Sequence, residues 1–318
     1  MENKKSILIT GCSSGIGLNT AIALHKKGWE VYATCKKAKD SAVLRKKGLK
    51  SFSLDLLNSS SITRAINKVE RECGGKLDAL FNNGAFAIPG AIEDIPRDGL
   101  REIFEVNVFG QLELLRKCLP LMRANNGGTV INCSSVLGFT AIPFRGAYIG
   151  TKFALEGITD TIRRENIDQN IRYVLIEPGP INTQIRFNSQ KHYEKWIDKN
   201  NSAYREIYER DLEKRLYKKK VEDFFELEPY AVTKKVIKAL EKIQKDFNSK
   251  KRSSKKIKFI IFHYTGMKTE SSALKKLTDE KSKVSSHYLI KKNGQIFTIV
   301  PDLYVAWHAG VSSWSNFS

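Results

Sequence analysis

Tyr148 and Lys152 stand four residues apart in "AYIGTK", at the start of a helical pattern, so both fall on one face. A phenol and an ammonium so placed suit proton transfer, because hydride transfer to or from a carbonyl needs a group that gives or takes the oxygen's proton near neutral pH. A free tyrosine titrates near pH 10, so making it competent at pH 7 takes roughly 4 kcal/mol. An ammonium about 4 Å away, at an effective dielectric of about 20, supplies about that much. The pair alone is a weak signal, since Tyr32/Lys36, Tyr230/Lys234, Tyr264/Lys268 and Tyr288/Lys292 share its spacing. Its company singles it out. Ser135 precedes Tyr148 by 13 residues at the end of the strand-like "TVINCSS", and Asn107 precedes it by 41 within the helical "REIFEVNVFGQLELL".

Three glycines add a second chemistry. Gly11, Gly15 and Gly17 follow "ILIT" and open a helical pattern, with the spacing T-G-x-x-x-G-x-G. This differs from the G-x-G-x-x-G fingerprint but shares its physics: glycines permit a tight turn and let amides at a helix N-terminus approach a pyrophosphate. The alternative is a mere turn. Further on, "VYATCKKAK" places Lys36 and Lys37 about 20 residues past the glycines, where an acid would meet a ribose 2′-hydroxyl and a cation a 2′-phosphate. No Asp or Glu stands in that stretch, so NADP(H) is expected ahead of NAD(H); a solvated lysine pair is the bland alternative.

These residues need a scaffold. Over residues 1–180, β-branched runs ("SILIT", "EVYATC", "LDALFNN", "GTVINCSS", "IRYVLIEPG") alternate with helical patterns at 16–27, 40–47, 97–123 and 147–166. That rhythm predicts an α/β fold, a doubly wound (Rossmann) parallel sheet with helices on both faces and ligands at the strand ends. Residues 184–226 turn polar and aromatic, with helical spacing but little core signal, and read as a mobile helical lid. A last amphipathic helix spans 229–243, and residues 248–256 have linker composition, giving domains at 1–247 and 257–318. Past the linker, "IKFIIFHYTG" reads as a buried strand, "SSALKKL" as a short helix and "HYLIKKNGQIFTIVP" as a hairpin turned by Asn293 and Gly294.

Composition narrows the classes. Lys and Arg total 54 against 34 Asp and Glu, a net charge of +20, yet the lysines are interleaved with Asn, Ser and Glu and no nucleic-acid module is visible. A solvated basic surface without a nucleic-acid partner is the expectation. Five cysteines without a C-x-x-C pair argue against a disulfide framework. The start "MENKKS" has no apolar signal segment and no run approaches a membrane span, so a cytoplasmic protein with no membrane partner is expected.

Residues 6–245 resemble a short-chain dehydrogenase/reductase. "TGCSSGIG" (Gly11, Ser13, Ser14, Gly15, Ile16, Gly17) is similar to that family's cofactor loop, and Asp55 in "SLDLLN" to the residue beside the adenine. "NNGA" from Asn82 is similar to the sheet-stabilising segment, with Gly84 and Ala85 in swapped order. Asn107, Ser135, Tyr148 and Lys152 match the catalytic tetrad, and "EPGPINT" carries Pro178, Gly179, Ile181 and Thr183 onto the nicotinamide side. The resemblance implies Tyr148 as general acid/base, with Lys152 holding the nicotinamide ribose and lowering the tyrosine pKa. It further implies that Ser135 orients the substrate oxygen, that Asn107 holds a water in the proton relay, and that the substrate is a small alcohol or carbonyl compound. It allows a homo-oligomer paired through the helices at 97–123 and 147–166. The family's final parallel strand is missing after the last helix, so either the sheet is one strand short or "KIKFIIF" takes its place.

Residues 257–318 resemble the N-terminal part of zinc N-acetylmuramoyl-L-alanine amidases of peptidoglycan turnover, through "FIIFHYTGM", "SSHYLIKKNGQIFTIVPD" and "AWHAGVSSW". This implies a small, incomplete α/β amidase-like segment in which His263 is a vestigial zinc ligand. A catalytic zinc needs three protein ligands, so neither zinc nor amidase activity is expected. The competing readings are a zinc amidase and a decayed, non-catalytic fusion.

Overall fold

The computed structural model describes residues 4–218, 226–241, 288–290 and 296–298. The chain divides into two compact units, Met1–Glu241 and Lys242–Ser318. In the first, β1 (Ser6–Ile9), α1 (Gly15–Lys26), β2 (Glu30–Cys35), α2 (Ala38–Lys46), β3 (Lys50–Ser53), α3 (Ser59–Glu72) and β4 (Ala79–Asn82) lead to α4 (Arg97–Phe104) and α5 (Gly110–Ala124). Then come β5 (Gly128–Cys133), α6 (Gly146–Glu165), β6 (Ile171–Ile176), α7 (Ile185–Trp196), the short α8 (Arg205–Ile207) and α9 (Glu213–Tyr217), and α10 (Pro229–Glu241).

The six strands form one parallel sheet in the order β3-β2-β1-β4-β5-β6, a Rossmann-like α/β fold. Side chains alternate across a strand, and here both sets are apolar. Leu8, Tyr32, Leu80 and Val130 pack on Ile62, Val69, Leu114 and Cys118 of α3 and α5. Ile7, Ile9, Val31, Phe81 and Ile131 pack on Ala21 and Leu24 of α1 and on Val232 and Val236 of α10. Burial on both faces is what a parallel sheet requires. The order reverses between β1 and β4, so their C-terminal ends diverge and open a crevice.

β3 and α3 fall in a stretch where the strand and helix patterns gave no element. In β3 only Phe52 is a large apolar residue, between serines. In α3 the buried positions 62, 65, 66 and 69 follow a helical stripe, and the Asn58 side chain caps its start by accepting from the Ser61 amide at 2.8 Å. α4 and α5 are one rod, joined by a π-helical turn at Glu105–Phe109 that carries Asn107.

The described part of 184–226 differs from its sequence reading in burying a set of side chains against residues 88–147. Tyr193, Ile197, Tyr208, Leu212 and Leu216 pack with Ile88, Ile95, Ile103 and Ala147. Its large members are tyrosines, which read as polar yet bury their rings once the hydroxyls find partners. Tyr208 donates to Asp94 and accepts from the Ala91 amide, while Tyr193 donates to Glu213 at 3.1 Å.

In the second unit β7 (Tyr288–Ile290) pairs antiparallel with β8 (Ile296–Thr298), Leu289 opposite Phe297. The turn at Asn293 and Gly294, His263, "KIKFIIF" and the linker lie outside the described residues. No helix among the described residues is long and apolar enough to cross a membrane.

Candidate active site

The ends of β1, β4 and β5, the β1–α1 turn and residues of α7 and α9 line a cleft of about 950 Å³, at the upper end of the roughly 300–1,000 Å³ usual for ligand pockets. Ser13, Ser14, Gly15 and Ile16 line one end, and Pro178, Gly179, Ile181 and Thr183 line a second wall. Gly11 and Gly15 have φ of +71° and +58°, which side-chain-bearing residues rarely adopt. A Cβ on Gly17 would sit 2.5 Å from the Gly11 oxygen, so the helix starts hard against the turn.

Ser14, the N-cap of α1, is extended and makes no side-chain cap bond, and the first turn holds no acid. The leading amides of a helix have no partners inside it, so this end presents donors and a positive dipole to the cleft. The residues fit a pyrophosphate. Lys36 and Lys37 lie on the same lining. Lys36 is 3.4 Å from the Asp55 carboxylate, a solvated pair of the kind worth at most about 1 kcal/mol, so its ammonium can exchange partners cheaply.

At the other end Ser135, Tyr148 and Lys152 share the wall formed by β5 and α6. The Ser135 hydroxyl accepts from the Leu137 amide at 3.1 Å. Lys152 is only 1% exposed, and its Nζ donates to the Cys133 carbonyl at 2.7 Å while lying 5.3 Å from the centre of the Tyr148 ring. Burial pushes its ammonium pKa down, with Cys133 and Glu156 holding it up. Burial also pushes the Tyr148 phenol well above its ordinary value, and the hydrogen bond with Ser135 draws the other way. The lysine-lowered phenol expected from the spacing is therefore not a property of the protein alone. The ammonium sits over the ring face, bonded to a carbonyl, while desolvation acts on the partly buried phenol.

Three expected site residues stand behind the wall. Gly17 acts through packing. Asn82 points into the sheet and donates to Asn132 at 3.0 Å, which in turn donates to Thr159 at 2.9 Å. Its neighbour Asn83 lines the cleft instead, because successive side chains point to opposite sides. Asn107 is fully buried, accepting from the Phe86 amide at 3.1 Å and donating to the Phe86 carbonyl at 2.9 Å and Thr151 at 3.2 Å. It fastens the loop after β4 to α6.

Residues not singled out from the sequence complete the frame. Thr10 Oγ1 accepts from the Asn83 and Gly84 amides at 2.9 and 2.8 Å, and Asn83 Nδ2 donates to the Thr10 carbonyl at 2.9 Å. A Cβ on Gly11 would be 2.8 Å from the Gly84 Cα, so the swapped Gly84–Ala85 order leaves a glycine at the point of closest approach. The signal was adjacency: Thr10 touches the glycine motif and Asn83 is the second residue of "NNGA". Among the described residues, no three His, Cys, Asp or Glu side chains converge as a metal site would require.

His192 of α7 closes the lid side, stacked on Phe86 with ring centres 4.0 Å apart. Burial, helped by Lys191 and opposed by Glu102, lowers its pKa to about 4. The fold thus favours the neutral ring. Its contribution is complete above the unfolded value of about 6.5 and is lost as pH falls towards 4, by up to about 3 kcal/mol. Denaturant titrations at pH 7 and 4.5 should show a smaller acid loss in His192→Phe than in the parent; an identical loss would contradict this account.

Comparisons with known proteins agree with this architecture. Residues 5–194 match the short chain dehydrogenase family model, and residues 253–318 match the N-acetylmuramoyl-L-alanine amidase model. The uncharacterised oxidoreductase YbbO of Escherichia coli is 38% identical over 185 residues, covering 58% of this chain and 69% of that protein. The NADPH-dependent 3-dehydrocapnine reductase of Ornithobacterium rhinotracheale is 35% identical over 186 residues, 56% of this chain and 66% of that protein. A crystal structure of a short-chain dehydrogenase from Streptomyces avermitilis superposes with a TM-score of 0.63 at 26% identity, covering 77% of this chain and 87% of that one. This chain is a member of the short-chain dehydrogenase family, an oxidoreductase family that uses nicotinamide cofactors, joined to a segment matching the amidase family.

Proposed function

We propose that residues 1–247 form an NADP(H)-dependent oxidoreductase interconverting an alcohol and a carbonyl, with Tyr148 as general acid/base and residues 184–226 as its substrate lid. The carrying observation is that Ser135, Tyr148 and Lys152 share one cleft with the glycine turn and Lys36. When bound, the cofactor supplies or accepts the hydride and, oxidised, a positive charge. Every other part belongs to the chain. The α1 amides and Gly11–Gly17 turn bind the pyrophosphate, with Asp55 beside the adenine and Lys36 at the 2′-phosphate. Ser135 orients the substrate oxygen, Tyr148 exchanges its proton, and Lys152 holds the nicotinamide ribose and the charge that stabilises the phenolate. Asn107 positions the wall between Phe86 and α6.

Lys36 decides the cofactor in this reading, and the name of the NADPH-dependent relative is in keeping with it. Lys36→Asp should raise the Kd for NADP about 10- to 100-fold, the worth of one charge-assisted contact, and leave NAD binding nearly unchanged. Thermal shifts against each nucleotide measure both, since a ligand of the native state raises its apparent stability. Equal losses for the two nucleotides would remove the 2′-phosphate role. Carbonyl-dependent NADPH oxidation by the full chain tests the activity itself.

Phe109 and Phe153 stand 53% and 47% exposed on the rod and on α6, apolar surface that homo-oligomer pairing would cover.

A further inference from the structure

Arg145 ends the loop into α6, three residues before Tyr148, and lines the same cleft. Its guanidinium carries five N–H donors, of which Nη1 is given to the Phe144 carbonyl at 2.8 Å. No carboxylate among the described residues lies within 4.0 Å of it. Of the acids on the lining, Glu102 pairs with Lys195, Asp211 with Arg210 at 2.7 Å and Asp55 with Lys36 at 3.4 Å, and neither Asp40 nor Glu226 forms an ion pair with Arg145. Arg215 of α9 borders the same cleft, and burial together with Arg215 lowers the Arg145 pKa. Among the described residues Arg145 has no acidic partner, and a partly buried cation in that state is costly to maintain. An anion entering the cleft would offset that cost.

We propose that Arg145 is the anion-binding element of the substrate subsite, and that the alcohol or carbonyl compound handled at Tyr148 carries an oxyanion, a carboxylate or a phosphate. This rests on the oxidoreductase reading and narrows its substrate class. The planar guanidinium fork matches two oxygens of either group, which a lysine ammonium does not. Its place one helical turn from Tyr148 sets the anion and the reacting oxygen on the same small molecule.

The test uses the full chain with NADP and three aldehydes of similar shape: 4-formylbenzoate, 4-formylphenyl phosphate and the neutral methyl 4-formylbenzoate. Calorimetry gives binding without turnover, and NADPH consumption gives kcat/KM. The expected result is that at least one anionic aldehyde binds about tenfold or more tightly than the ester, with the stronger of the two identifying the oxyanion. In Arg145→Met that ratio should fall to about one, and in Arg145→Lys to an intermediate value. A parent protein that binds ester and anions equally overturns the proposal, even if Arg145→Met does not fold. A preference unchanged in Arg145→Met and Arg145→Lys also overturns it, since it would then come from the general basic charge. Anion preference without NADPH consumption keeps the subsite and removes the redox reading. Consumption without anion preference does the reverse.

Discussion

Tyr148→Phe should lower kcat/KM for carbonyl reduction by about 10³-fold, within the roughly 10²–10⁴-fold that a positioned proton donor contributes. The substitution removes one oxygen and leaves the ring on which Lys152 Nζ rests, 5.3 Å from its centre. Cofactor binding, followed by thermal shift, should therefore stay within a few-fold of the parent. Because burial raises the phenol above its ordinary value, the neutral acid is present throughout the physiological range. Reduction should be flat with pH there and decline only in strong alkali. Alcohol oxidation needs the phenolate and should climb with pH over the same range. Stopped or continuous NADPH assays from pH 6 to 10 test both limbs, and equal rates in Tyr148→Phe and the parent would remove Tyr148 from the mechanism.

Gly110→Ala should have the largest effect on stability. A Cβ there would lie 2.1 Å from the Leu56 carbonyl oxygen and 2.9 Å from its carbon, and backbone cannot rotate aside as a side-chain tip can. The loop after β3 must move away from α5, opening the packing around Leu54, Leu56 and Leu114. Overpacking that forces backbone shifts costs about 3 kcal/mol. In a unit of 241 residues this lowers Tm by roughly 6–12 °C. Leu56 also lines the cleft, so nucleotide binding should weaken with it. Calorimetric melting of the variant decides the matter; a loss under 1 °C would mean that the rod can slide without cost.

Much of this was legible in the chain. The alternation of β-branched runs and helical patterns gave the parallel sheet, because strands buried on both faces must be apolar throughout. The spacing of Gly11, Gly15 and Gly17 marked the turn, since Gly11 and Gly15 hold a positive φ that other residues rarely adopt and Gly17 stands where a Cβ would come within 2.5 Å of backbone. β3 went unread because its burial rests on one phenylalanine. The buried face of residues 193–216 went unread because Tyr193 and Tyr208 hold their places through hydroxyl partners 20 and 114 residues away. The roles of Asn82 and Asn83 differ only by which way a strand turns its side chains, and a motif quoted as letters carries no such direction. Arg145 lay in plain view three residues before Tyr148, but that no acid among the described residues pairs with it is a property of three-dimensional surroundings.

The π turn at Glu105–Phe109 bears on how chains of this kind can change length. Such a turn houses one residue more than the α-helical repeat needs, so α4 and α5 keep the faces that an unbroken helix would give them: Ile103 towards the lid, Leu114 and Cys118 towards the sheet. Deleting one residue within Glu105–Phe109 should leave both packed faces in phase, whereas a deletion elsewhere between 97 and 124 should rotate one of them by about 100°. A one-residue deletion along the rod should therefore be tolerated only in the segment that holds Asn107, and there only if Asn107, which ties Phe86 to α6, is kept.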